Sequence, residues 1–275
     1  MIRADFHTHT CFCDGKNTPR EMVEAAYRMG FTDFGVSGHA DYSFCEPGFG
    51  MSDAALEEYL KELYQLKEEY AGRMNVHVGI ELDCLGPIQK ADYSIGSVHC
   101  VKKNGEYLSV DNTLEMLEDG VKRLWNGDWY AFARDYFETE AIVYEKTHCD
   151  WVGHFDLLTK FNELPDGSFR YLDPARDEYL EPALEAMKKL NSHGLPFEIN
   201  TGAISRGYRS EPYPSRLLLR ELKSMGGRIL LSSDSHSVET IGFHLEEAAK
   251  LAAECGFTHT CILLPGGGFK EVELD

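Results

Sequence analysis

Short apolar runs alternate with longer amphipathic stretches from one end of the chain to the other. The short runs read as strands: residues 2–6, Phe34–Ser37, Val76–Ile80, Tyr93–Val98, Trp151–Val152, Pro196–Ile199, Arg228–Leu231 and Thr258–Leu264. Between them the spacing turns helical. Thr18-Pro19-Arg20-Glu21 has the residues of a capping box with proline at the first helical position, and Gly30 supplies a stop. Asp53–Tyr70 carries Leu56, Leu60, Leu63 and Leu66 on one face of a Glu/Lys-rich helix. Residues 112–147 are the widest interval between strands and read as two or more helices. Pro174–His193, Ser215–Met225 and Val238–Cys255 read as one helix each.

Strand–helix alternation predicts parallel strands with the helices outside. No linker, repeat or low-complexity stretch divides the chain, so residues 1–275 read as a single domain of the α/β class. The polar residues then fall in a telling order. His7 and His9, His39, Glu81, His99, His154, Asn200 and Asp234 each follow the last apolar residues of a different strand. In a parallel barrel those strand ends gather on one rim, where active sites form. Residues i and i+2 of a strand share a face. His7 and His9 can therefore address one ion, and Asp234 and His236 repeat the spacing.

Composition narrows the partners. Apolar residues make up 43% of the 275, enough for a sizeable core, and the formal net charge is −19. So acidic a chain is a poor match for a nucleic-acid backbone, where basic surface supplies most of the affinity. Part of the acidity can neutralise bound cations. No run of about 18 apolar residues suggests a membrane span, and no basic-then-apolar N-terminal segment suggests a signal peptide. A cytoplasmic protein is expected. The eight cysteines are scattered, none in a C-x-x-C pair, and read as reduced thiols.

Imidazole and carboxylate donors without thiolates suit zinc, iron or manganese. The candidate ligands are His7, His9, Asp14, His39, Glu81, His99, His154, Asp234 and His236, too many for one ion and suited to two or three. Cys11 and Cys13 lie near the first histidine pair but are not needed. Glu81 stands among apolar strand neighbours, where an unpaired carboxylate is costly; bridging two cations would satisfy it. His77, His148, His193, His244 and His259 lack this setting and read as structural or solvent-facing.

The ordered series His7-x-His9, Gly38-His39-x-Asp41, Gly79-x-Glu81, Ser97-x-His99, Gly153-His154-x-Asp156 and Ser233-Asp234-x-His236 resembles the polymerase and histidinol phosphatase (PHP) superfamily, over residues 5 to about 244. Chain length, Glu198-Ile199-Asn200-Thr201-Gly202 and Ser210-Glu211-Pro212-Tyr213-Pro214-Ser215 look like its stand-alone histidinol-phosphate phosphatase branch. The resemblance implies a distorted (β/α)₇, TIM-like barrel with a trinuclear metal site at the C-terminal rim of the strands. Carried over, His7, His9, Glu81 and Asp234 bind one metal. Glu81, His99 and His154 bind a second, with Glu81 bridging. Asp14, His39 and His236 bind the third. Asp14 departs from relatives that carry histidine there, and its harder oxygen bears on the metal preference of that position.

Two neighbouring cations can deprotonate a shared water and stabilise an in-line displacement. The expected reaction is hydrolysis of a phosphomonoester by a metal-bridging hydroxide, with L-histidinol phosphate as the substrate and histidine biosynthesis as its setting. A PHP-type phosphoesterase acting on another small monoester or diester is the alternative, and a non-catalytic metal-binding module a more distant one. A phosphate also suits an arginine clamp. Arg206 follows Asn200-Thr201-Gly202 toward the mouth, where the resembling phosphatases place a phosphate-binding arginine; a surface salt bridge is its other reading. Lys160 is a second candidate cation, ahead of Arg209 and Arg170. Asp156 is a candidate proton donor, or alternatively the partner that orients His154.

Overall fold

The computed structural model describes residues 3–274. β1 (Ala4–Asp5) is shorter than the expected 2–6 run, whose Ile2 lies outside the described residues. α1 (Pro19–Met29) has both halves of its capping box. The Thr18 side chain accepts the Glu21 N–H, and the Glu21 carboxylate accepts the Thr18 N–H at 2.8 Å. After β2 (Asp33–Val36), α2 (Asp53–Glu69) buries Leu56, Leu63 and Leu66, leaving Leu60 at the margin. β3 (Asn75–Asp83) and β4 (Tyr93–Ser97) follow.

A hairpin then appears where no strand was expected, β5 (Cys100–Lys103) and β6 (Glu106–Ser109). The helical interval behind it holds α3 (Leu114–Trp125), α4 (Trp129–Glu140) and α5 (Val143–Thr147). Next come β7 (Trp151–Val152), α6 (Asp177–Asn191), β8 (Pro196–Asn200), the short α7 (Gly202–Ser205), α8 (Arg216–Ser224) and β9 (Arg228–Ser232). The expected helix 238–255 is broken, and only α9 (Leu245–Glu254) is regular. Gly242 (φ 67°) and His244 (φ 56°) occupy the left-handed region, which a continuous right-handed helix cannot contain.

Among the described residues the main sheet has seven strands, in the order β1-β2-β3-β4-β7-β8-β9, every pair parallel. The barrel is nearly closed. Between β9 and β1 there is one bridge, Thr8 to Ser235, where the His9 N–H donates to Ser235 O at 2.7 Å. Buried Asp5 reinforces this seam by accepting the Ser233 N–H at 3.1 Å. The expected final strand, β10 (His259–Leu263), lies outside the sheet and pairs antiparallel with β11 (Phe269–Glu273). The latter is too polar to read as a strand from sequence. Cys261, Ile262 and Leu263 pack with Ala4, Tyr93 and Trp151, the first residues of their strands. The hairpin thus covers the end where the strands begin and leaves the opposite rim open.

One expectation about cysteine is overturned. Cys45 and Cys100 form a disulfide; the other six are free. The pair is 55 residues apart, so no local motif announces it. It joins the 41–51 loop after His39 to the start of β5, beside His99. No helix among the described residues is long and apolar enough to cross a membrane.

Candidate metal centre

All nine expected ligands converge on the open rim. His7 and His9 follow β1 with their ring centroids 5.1 Å apart and both rings turned to the same centre, and both are fully buried. His7 Nε2 lies 3.1 Å from Glu81 Oε2, and His9 Nε2 lies 3.3 Å from Asp234 Oδ1 and 3.5 Å from Glu81 Oε2. Asp234 reaches inward from a left-handed backbone (φ 50°), which aspartate tolerates better than most residues. Glu81 is fixed through its own backbone: its N–H donates to Gly38 O at 3.1 Å and its carbonyl accepts the Ala40 N–H at 2.8 Å. The same bridge sets His39 opposite it.

The second Glu81 oxygen faces a different group. Oε1 lies 2.9 Å from His154 Nε2 and 3.2 Å from His99 Nε2, and accepts the Ser97 hydroxyl at 2.7 Å. A third group is nearer the mouth. Asp14 Oδ2 is 2.9 Å from His236 Nε2, and Asp14 Oδ1 is 3.7 Å from His39 Nε2 and 3.5 Å from His9 Nδ1. Donor atoms within each of four overlapping groups lie within 4.8 Å of one another. His9 and His39 present one nitrogen to each of two groups.

Carboxylates and imidazoles hold one another's charge at this centre, His7 and His99 being raised, against burial, by the same carboxylates they face. Burial alone would raise the Glu81 carboxyl, but the imidazoles of His7, His39 and His99 and the hydrogen bond from His154 hold it well below the usual range. Burial pushes His39 down to about 3, so it stays neutral and free to ligate. Asp14, Glu81, Glu198 and Asp234 are all within this network, and Arg206 is the guanidinium paired with it. His7 Nε2, His9 Nε2 and Glu81 Oε2 are buried without a hydrogen-bond partner, and all three belong to the first group. Orphaned donors of nitrogen and oxygen type at this spacing fit divalent cations. The Cys13 thiol, 3.5 Å from His9 Nδ1, is pushed by burial to about 12.

The outer partners were not apparent in the sequence. Glu198 Oε1 sits 2.7 Å from His7 Nδ1 and accepts the Ser232 hydroxyl, while its Oε2 accepts the His154 backbone N–H at 2.9 Å. Asp83 accepts the His99 N–H at 2.8 Å. The available signal was an acidic residue in an otherwise apolar strand, which Glu198 shares with Glu81. A cavity of about 210 Å³ opens over the cluster, with Arg206 and Lys160 in its wall. Arg206 donates to the Asp234 carboxylate and to its carbonyl, both at 3.1 Å. Lys160 Nζ donates to Asp111 O at 2.5 Å. Asp156 is not among the lining residues. It is buried, accepts the Ser215 N–H at 3.2 Å and faces Arg209 at 3.8 Å, so it neither reaches the cavity wall nor hydrogen-bonds His154. The reading of Asp156 as proton donor or His154 orienter is therefore not supported. The 41–51 loop and the end of the unexpected hairpin complete the wall with Tyr42, Glu46, Phe49, Ser109, Asp111 and Asn112.

Comparison with known proteins places the chain in a family. The histidinol-phosphatase of Bacillus subtilis is 26% identical over 274 residues, covering 90% of this chain and 98% of that protein. A DNA polymerase/3'-5' exonuclease of the same organism is 21% identical, with 99% of this chain matching 40% of its length. The histidinol phosphate phosphatase of Lactococcus lactis, solved with zinc, L-histidinol and phosphate, superposes at a TM-score of 0.71 with 22% identity, covering 98% of this chain and 99% of that one. The PHP domain model matches residues 5–202, and the chain belongs to the PHP family.

Proposed function

We propose that the protein is a metal-dependent phosphomonoesterase, specifically a histidinol-phosphate phosphatase: L-histidinol phosphate and water give L-histidinol and phosphate, a step of histidine biosynthesis in the cytoplasm. Residues 1–275 act in this reading as one PHP-type domain. The observation that carries it is the convergence of nine candidate donor residues, four of their atoms buried and unpartnered, beneath a small cavity walled by Arg206.

His7, His9, Glu81 and Asp234 would hold one cation, Glu81, His99 and His154 a second, and Asp14, His39 and His236 a third. Zinc, iron or manganese suits these donors. Such ions supply Lewis acidity toward phosphate oxygens and lower the pKa of water. The protein's own groups do the rest. Glu198 and Asp83 orient His7 and His99 from behind. Arg206 is anchored to Asp234 on one side and presents its remaining N–H groups to a phosphate oxygen. Lys160 adds positive charge along the same wall. A cavity of about 210 Å³ suits a small ester.

The test is a comparison of L-histidinol phosphate with p-nitrophenyl phosphate, before and after chelation. Preference for the former, lost with the chelator and restored by Mn, Fe or Zn, is expected. Equal rates on the two esters would sink the substrate assignment, and hydrolysis indifferent to chelation would sink the metal assignment.

A further inference from the structure

We propose that Glu46 binds a cationic group on the leaving alcohol, and so makes the site selective for phosphate monoesters of amino alcohols. The inference rests on the phosphatase reading and adds the element that would discriminate among its substrates.

The cavity's carboxylates can be sorted by what already occupies them. Asp14, Glu81 and Asp234 belong to the donor cluster. Asp111 is taken up by Lys160, 3.4 Å from its carboxylate. Glu46 is left. No Lys, Arg or His pairs with it among the described residues. Its Oε2 accepts the Asn112 amide at 2.8 Å, while Oε1 is buried with no partner. An unsatisfied buried carboxylate oxygen is a standing cost that an arriving ammonium removes. Tyr42 and Phe49, their ring centroids 5.3 Å apart, line the same cavity and add the aromatic faces to which cations are drawn.

Position matters as much as charge. The 41–51 loop is held at three points. The Cys45–Cys100 disulfide ties the residue before Glu46 to the residue after His99. The Met51 N–H donates to His39 O at 3.1 Å. The Asp41 N–H donates to Gln89 Oε1 at 3.0 Å. Glu46 is thereby fixed relative to the donor cluster, and a ligand held at both ends needs its phosphate and its cation a set distance apart. Arg206 and Lys160 suit the anionic end, and Glu46 suits the cationic one.

The experiment compares kcat/KM of the metal-loaded, full-length enzyme for L-histidinol phosphate and N-acetyl-L-histidinol phosphate, which lacks the ammonium. The wild type should prefer the free amine by about 10- to 100-fold, the range of a charge-assisted hydrogen bond. Glu46→Gln keeps the shape and an oxygen for Asn112, and should cut that preference at least about 10-fold, mostly through KM. Glu46→Lys should bring the ratio to one or below. An unchanged ratio in both variants, or an equal loss on both esters, overturns the inference and leaves the phosphatase reading standing. A wild type that hydrolyses neither ester overturns both.

Discussion

Glu81 concentrates the argument in one side chain. One oxygen faces His7 and His9, the other His99 and His154. Glu81→Ala should therefore strip metal from two positions and abolish turnover, and elemental analysis of the purified variant checks it; near-normal metal content would contradict the bridging role. Glu198 acts one layer back, through His7 Nδ1. Glu198→Gln should weaken metal affinity about 10- to 100-fold with the fold intact, as losses of outer partners do; a metal titration against a competing chelator measures this. Arg206→Ala should raise KM for the phosphate ester about 10-fold or more while metals stay bound, and unchanged kinetics would return Arg206 to a salt bridge with Asp234. The convergence of the nine candidate donors was legible because ligation admits few residue types and the strand ends of a parallel barrel share one rim. Glu198 was harder to see because it points inward from within β8, before the strand end. Asp156 was misleading because its carboxylate turns to the Ser215 N–H and Arg209, contacts that nothing in the local sequence announces.

Elements were legible where apolar period and caps agree, as in α1 and α2, and illegible where tertiary contacts decide. The β5–β6 hairpin is half-polar and held by the loop it touches, and the disulfide between that loop and β5 joins residues 55 apart in sequence. Packing at β3 illustrates a constraint that spacing alone conceals. A Cβ on Gly79 would lie 2.1 Å from the Tyr93 ring, whose hydroxyl donates to Phe6 O at 2.6 Å. Gly79→Ala should destabilise the fold by about 1–3 kcal/mol or more, the usual cost of overpacking, read as a lower urea midpoint. In α4, Glu140 is fully buried; its Oε1 accepts the Tyr136 hydroxyl at 2.9 Å and its Oε2 has no partner. Burial, opposed by that hydrogen bond, raises its pKa well above the ordinary value of 4.5. The folded state thus keeps a proton that the unfolded chain releases above pH 4.5, so this group's contribution falls as pH rises through that value. Glu140→Gln removes the penalty. It should stabilise the protein by about 1–3 kcal/mol at neutral pH, with the gain fading below about pH 4.5. A gain that persists at pH 4 would show that the carboxyl's ionisation is not its source.

The barrel and the metal centre depend on each other through the seam between β9 and β1. Every other neighbouring pair in the main sheet is joined as paired strands, but this one has the single Thr8–Ser235 bridge and the Asp5–Ser233 hydrogen bond. The first donor group straddles that gap, with His7 and His9 on one side and Asp234 on the other. A cation held there would close the barrel as well as equip it. Ligands that bind only the folded state stabilise it by mass action, by about 4 kcal/mol at a free concentration a thousandfold above Kd. For a chain of this size that corresponds to roughly 10 °C in Tm. Chelation should lower Tm by about that much, and the loss should begin at the seam. Amide hydrogen exchange should accelerate at His9 and Ser235, whose N–H groups cross it, before it does in β3 and β4. Exchange that quickens uniformly, or a Tm indifferent to chelation, would mean that the barrel closes without its metals and that the seam is held by Asp5 and Thr8 alone.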